Sequence, residues 1–258
     1  MTAAPVRPLG AAGSISLEPL RPSRWTTPLG WASLVLVGAT AGLGLALPRS
    51  QEQAEYSRLI AIHPPAAWAS YFGIGLAALC SLLYLAKRNP AFDRANAASA
   101  EVAAVFTAIT LATGSIWGRP TWGVWWQWDP RLTTEALLMA FLLGAVALRR
   151  ALAPGSGRAV ISAVFSLTTV GLLPIVHFSV TWWRSLHQIG TLASPAPAEN
   201  ADGAFIAAML LGFVAFTVLS IWLVLWRSHV EALEEGAEDA LLAEAIVARR
   251  AEARSPTS

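Results

Sequence analysis

The chain has 258 residues, of which 55% are hydrophobic and only 13% charged, where a soluble domain carries about 25% charged residues. A formal charge of +2 with no basic stripe gives nucleic acid no footing. The single cysteine, Cys80, stands inside an apolar run and no C-x-x-C occurs, which excludes an intramolecular disulfide, a dithiol oxidoreductase of that type and a c-type cytochrome.

In chain order, residues 1–27 open on a stretch rich in Pro, Ala, Gly and Ser, with Arg7, Arg21 and Arg24. They read as a disordered cytoplasmic tail, since a signal peptide would place its short apolar core nearer the start. Six apolar segments follow, at 28–47, 64–86, 97–117, 132–148, 159–180 and 203–226. Each is near the roughly 20 residues that cross a ~30 Å hydrocarbon core. Lipid offers the backbone no partner, so runs this continuous are helices. The expectation is an all-α integral membrane protein, a bundle of six transmembrane helices. The fourth segment is the shortest and carries Glu135 near its start, a depth consistent with the interface. Residues 227–258, rich in Ala, Glu, Leu and Arg, read as a solvated helical extension that Gly236 weakens. No internal repeat is present.

Orientation follows from the cations. Thirteen of the eighteen Lys and Arg residues lie in the N-terminal tail, the 87–96 and 149–158 loops and the C-terminal tail; five (Arg49, Arg58, Arg119, Arg131 and Arg184) lie on the other side. The positive-inside rule puts both termini in the cytoplasm and the loop at 117–131 outside.

That loop is where the sequence is densest in chemistry. Five of the twelve tryptophans (Trp117, Trp122, Trp125, Trp126 and Trp128) fall between 117 and 128, followed at once by Asp129, Pro130 and Arg131. An indole has a flat apolar face and one N–H donor, suited to a boundary between grease and water. An aromatic belt scatters such residues singly; this block gathers them with glycines and prolines that bend the backbone. Its density suits a platform for a flat, apolar ligand with polar edges.

Three of the four histidines lie on the outward half: His63, His177 and His187. Pro64 favours a helix start, which places His63 at the rim of the second helix. His187 lies in the last outward loop. Heme iron takes one ligand on each face, commonly imidazole, so two histidines beside an aromatic wall are what bis-histidine ligation needs; two amphipathic side chains at their preferred depth is the other reading. Asp129 is a good N-cap for a helix starting at Pro130, and capping alone accounts for it as well as a charge role does. Arg119 and Arg131 flank the platform. The planar fork of arginine suits a propionate, and equally a phospholipid headgroup.

The block Trp122-Gly123-Val124-Trp125-Trp126-Gln127-Trp128-Asp129 resembles the W-G-x-W-W-x-W-D signature of the heme-handling proteins of cytochrome c biogenesis. His63-Pro64-Pro65-Ala66-Ala67-Trp68 and Trp182-Trp183-Arg184-Ser185-Leu186-His187-Gln188 are similar to two further motifs of the C subunit of the bacterial cytochrome c maturation system (system I), the heme exporter protein C (CcmC) family. The resemblance runs from about residue 28 to 226. It implies that His63 and His187 are the axial ligands of heme b on the outer face of the bacterial inner membrane. It also implies that Trp122, Trp125, Trp126, Trp128 and Asp129 of the signature, with Arg131 attached to it, serve heme binding; Arg119 joins these candidates by its place beside the platform. The protein would pass heme to a periplasmic heme chaperone of the CcmE type, with ABC transporter subunits of the CcmA and CcmB type and a small CcmD-type membrane protein as partners, and would not itself be an enzyme. Two departures stand out: the family commonly has H-V-P where this chain has His63-Pro64-Pro65, and an acidic residue where Thr181 stands.

The heme–cytochrome c synthetases of system II share the tryptophan signature and are the enzymatic alternative. By resemblance they carry additional transmembrane histidines, and here the deepest, His177, is near a segment end. A permease subunit with a tryptophan belt is a third class, which an absorption spectrum of the purified protein would separate from both. No Walker A loop is present, no H-x-x-x-H spacing supports zinc, and serines and acids are too scattered to suggest a Ser–His–Asp site.

Overall fold

A computed structural model of the chain describes residues 22–49, 54–187 and 203–252. Residues 1–21 of the tail, and Gln188 with the rest of the last outward loop up to 202, lie outside the described residues. The described residues form helix α1 (Thr26–Ala46), a 3-10 helix (Glu55–Ala61), α2 (His63–Lys87), α3 (Pro90–Trp122), α4 (Pro130–Ala151), α5 (Ser156–Val170), α6 (Leu172–Trp182) and α7 (Gly203–Glu252). Counting α5 with α6, six of the helical spans are long and apolar enough to cross a membrane. The all-α membrane bundle expected from hydropathy is therefore present.

Small residues draw the helices together, as expected where lipid removes the hydrophobic drive for helix association. A Cβ added to Gly73 of α2 would stand 3.0 Å from the Ala103 Cβ of α3. Ala66, Ala69 and Ala98 are buried in the same seam, and Ser70 and Thr107 hydrogen-bond across it at 2.6 Å. Gly212 lets α7 meet the start of α2 with equal closeness: a side chain there would collide with Pro65 and the Ala61 carbonyl.

Four boundaries differ from the sequence reading. The start of α3 is Pro90, inside the stretch read as the 87–96 loop, with Asn89 as its N-cap. Helix α3 runs on past residue 117 through Trp122, with Pro120 inside its last turns. A proline near a helix end forfeits little backbone bonding, and the helix stops instead at Gly123, which adopts the left-handed conformation (φ 80°) that closes helices and donates to the Arg119 carbonyl. The fifth span breaks at Gly171 into α5 and α6, three residues before Pro174, which brings no N–H to the ladder. The last helix continues through residue 226 and past Gly236 to Glu252.

At the end of the bundle away from the tryptophans, Arg149 of α4 ties α3, α4 and α7. It donates to both oxygens of Asp93 at 2.9 and 3.0 Å and twice to Glu231 at 2.9 and 2.8 Å. Arg158 and Arg94 pair with Glu235, and Arg227 with Glu101. These contacts join the start of the C-terminal extension to the bundle.

Candidate functional site

At the tryptophan end, a cavity of about 400 Å³ opens between α2, α3, α4, α6 and α7. It is lined by His63, His187, Trp122, Trp126 and Arg131, and also by Trp117, Tyr71, Glu135 and His177.

His63 is the first residue of α2, with prolines at the next two positions. The 3-10 helix before it is anchored by Arg58, which donates to the Leu47 carbonyl at 2.9 Å and pairs with Glu55. The imidazole Nδ1 of His63 lies 3.0 Å from the Thr113 Oγ1 of α3. Thr113 has one hydroxyl hydrogen, and it goes to the Ile109 carbonyl at 2.7 Å. Its oxygen therefore accepts from Nδ1–H. That bond fixes the tautomer and leaves the Nε2 lone pair free, the arrangement that orients metal-ligating histidines. Gly114 lies against the same ring: a Cβ there would stand 2.9 Å from its Cε1.

His187 is brought in by Asp129. The Asp129 carboxylate is 6% exposed and accepts three hydrogen bonds: from the Arg131 N–H at 2.9 Å, the Ser185 hydroxyl at 2.9 Å and the Leu186 N–H at 2.7 Å. The first caps α4. The other two draw the segment after α6 onto the tryptophan loop, and Ser185 also accepts from the His187 N–H at 3.0 Å. The result sets the His63 and His187 rings 6.5 Å apart, centre to centre, tilted by 31°. Trp122 stands edge-on to His187 at 6.1 Å and Trp117 edge-on to His63 at 5.8 Å.

The loop from Gly123 folds back on α3 because Ser115 donates to the Trp125 carbonyl at 2.6 Å. Trp126 turns into the cavity, while Trp125 and Trp128 are 58% and 80% exposed and lie outside its lining. Arg119 donates to the Gly123 carbonyl, at the end of its own helix, outside the cavity lining. Arg131 lines the cavity and donates to the Val176 carbonyl at 2.7 Å, joining α4 to α6. Asp129 does not line this cavity; with Trp128 and Ser185 it lines a separate depression beside it.

Of the nine residues singled out from sequence, the structure gathers His63, His187, Trp122, Trp126 and Arg131 about one space. Trp125 and Trp128 are exposed outside its lining, Asp129 braces the loops beside it and Arg119 closes α3. Sequence reasoning passed over Tyr71 and Thr113, and placed Glu135 at the interface with no part in the site. A charged residue within an apolar run was the signal that Glu135 offered; Tyr71 and Thr113 offered none.

A family model described as Heme exporter protein C matches residues 20–242. The chain is 38% identical over 210 residues to Heme exporter protein C of Haemophilus influenzae, covering 80% of this chain and 84% of that protein. It is 37% identical over 202 residues to Heme exporter protein C of Bradyrhizobium diazoefficiens, with 78% and 76% covered. A putative cytochrome c biosynthesis ccmC-like mitochondrial protein of Arabidopsis thaliana is 35% identical over 217 residues, with 79% and 80% covered.

Proposed function

The chain belongs to the heme exporter protein C family, a multi-pass membrane protein of heme handling in cytochrome c biogenesis, and on that premise we propose that it binds heme b between His63 and His187 and passes it to a periplasmic heme chaperone. The observation that carries this reading is the spacing of the two imidazoles. Axial imidazoles bonded to iron at about 2 Å put their ring centres about 6 Å apart; His63 and His187 stand at 6.5 Å, with the Nε2 of His63 free to bond.

In this reading Trp122 and Trp126 wall the porphyrin, and Trp125 and Trp128 form the exposed rim on which the chaperone docks. Arg131 faces a propionate. Asp129 and Arg119 act one step back, holding the loops that carry these groups. The thirteen-to-five division of cations supports a bacterial inner-membrane protein with cytoplasmic termini and an outward heme site. ABC transporter subunits of the CcmA and CcmB types and a small CcmD-type membrane protein are its partners. Heme is cargo here and no thioether bond is made by this chain.

The test is the absorption spectrum of the purified protein. The wild-type chain is expected to carry a low-spin, six-coordinate Soret band. His63→Ala and His187→Ala should each lose one axial bond, shift that band and lower heme retention. If both variants keep the wild-type spectrum and content, bis-histidine ligation is wrong.

A subtler change checks how His63 is seated. Gly114→Ala places a methyl group where the imidazole edge now lies, an overpacking that costs about 1–3 kcal/mol. Heme retention should fall while helix content stays the same. Unchanged retention would mean that His63 is not confined as described.

A further inference from the structure

The inner end of the cavity holds a polar group that the histidine pair does not use. Arg131 and Glu135 lie one turn apart on α4, Tyr71 projects from α2, and His177 from α6. The Tyr71 and His177 rings meet edge-on at 6.3 Å. Glu135 is only 4% exposed, yet its Oε1 has no hydrogen-bond partner among the described residues, and the Tyr71 hydroxyl has only the neighbouring Arg131 guanidinium, outside full hydrogen-bond geometry. Arg131, one turn away, spends a donor on the Val176 carbonyl and forms no ion pair with Glu135. Buried polar atoms are nearly always partnered, and each exception calls for a reason. Here both groups line one cavity beside that arginine.

We infer that Glu135 and Tyr71, with Arg131, form a seat for the carboxyl edge of a tetrapyrrole, so that the ligand enters with its two carboxyls inward. This rests on heme being the occupant. The chemistry of the seat selects the edge. An arginine matches one propionate carboxylate. A carboxyl group and a phenol match the second, because Glu135 and the propionate share one proton in an O–H···O hydrogen bond while Tyr71 donates its own hydrogen. A second cation in place of the propionate would face Arg131 unscreened, so the seat disfavours metal ions and amines.

Distance agrees with the assignment. Tyr71 lies eight residues beyond His63 on one helix, about 12 Å along its axis at 1.5 Å per residue. That is the scale on which a porphyrin reaches from its iron to its carboxyls. At the opposite end the cavity wall turns apolar, with Trp122, Trp126 and Leu186. The hydrocarbon edge of the ring is thereby presented to the tryptophan rim, where an acceptor arrives.

The experiment titrates the full-length chain, purified in detergent, with ferric heme and with its dimethyl ester, whose capped carboxyls can neither pair with arginine nor share a proton. The wild-type protein should prefer the free acid by about tenfold or more. Tyr71→Phe removes one oxygen without changing the ring and should reduce that preference severalfold, and Glu135→Leu should reduce it further. Glu135→Gln, which keeps a hydrogen-bonding group, should recover most of it. The low-spin spectrum should persist in all three, because the iron ligands are untouched. Equal binding of acid and ester by the wild-type chain would overturn the seat, as would a full preference in both Glu135→Leu and Tyr71→Phe. Loss of the acid preference with an intact low-spin spectrum supports it. A preference that survives while His63→Ala and His187→Ala leave the spectrum unchanged would instead overturn the histidine assignment and leave the seat standing.

Discussion

Replacing Arg149 with methionine is expected to destabilise the bundle by about 3–5 kcal/mol, the range for removing one partner of a buried ion pair. Arg149 is 8% exposed, and so nearly are the Asp93 and Glu231 carboxylates that it joins. Taking the cation away leaves the Asp93 carboxylate without its partner in a dry setting, and leaves Glu231 held by Arg227 alone. The loss comes from that uncompensated charge and not from the net strength of the pair. Methionine fills much of the same volume, so a cavity does not explain the effect. Denaturant titration in detergent, read by circular dichroism, measures it. Replacing all three residues together with apolar ones of similar size should recover most of the loss. If Arg149→Met unfolds at the same denaturant concentration as the wild-type chain, the network contributes no stability. Because Glu231 belongs to α7, the single variant should also expose the extension to protease sooner.

The six spans were legible because lipid leaves an apolar chain one solution, a helix with its backbone bonds made internally. Length and hydropathy then suffice, and the spans at 28–47, 64–86 and 132–148 fall within a few residues of α1, α2 and α4. The misplaced ends all involve Pro or Gly, and at two of them the local signal was overridden. Pro120 read as a bend within the loop, yet it sits in the last turns of α3, where one forfeited backbone bond matters little. Gly236 read as a weak point worth about 1 kcal/mol; ion pairs at Glu231 and Glu235 hold the chain just before it, and the helix runs on.

The site was legible only in pieces. Spacing could place His63 at a helix start, because the prolines after it act locally. It could not bring His187 to it across the 123 residues between them; that depends on Asp129 reaching Ser185 and Leu186, a tertiary contact with no sequence period. The tryptophan block hid a division of labour, since the same loop turns Trp126 inward and Trp128 to the outside. Glu135 was visible as a charge and placed at the interface by its position near the start of a segment. Its meaning depends on Tyr71 and His177, which arrive from two other helices.

The Asp129 series distinguishes a helix cap from a brace for His187. Asp129→Ala removes the acceptor for the Arg131 N–H, the Ser185 hydroxyl and the Leu186 N–H together. A lost cap costs about 1 kcal/mol, and hydrogen bonds to a charged acceptor about 1.5–3 kcal/mol. The Ala variant should therefore lose both helix stability and the placement of His187. Asparagine caps a helix about as well as aspartate, but it has one acceptor oxygen where the carboxylate uses both. The Arg131 N–H and the Ser185 hydroxyl bond one oxygen, and the Leu186 N–H bonds the other. Whichever way the amide turns, its NH2 faces a donor. Asp129→Asn should thus insert and fold normally while its heme spectrum moves toward that of His187→Ala, because the segment at 185–187 is released. Ser185→Ala removes one donor to Asp129 and the acceptor for the His187 N–H, and should show the same change in weaker form. If Asp129→Asn keeps the wild-type spectrum, heme content and transfer, the carboxylate serves α4 alone and His187 is positioned by something else.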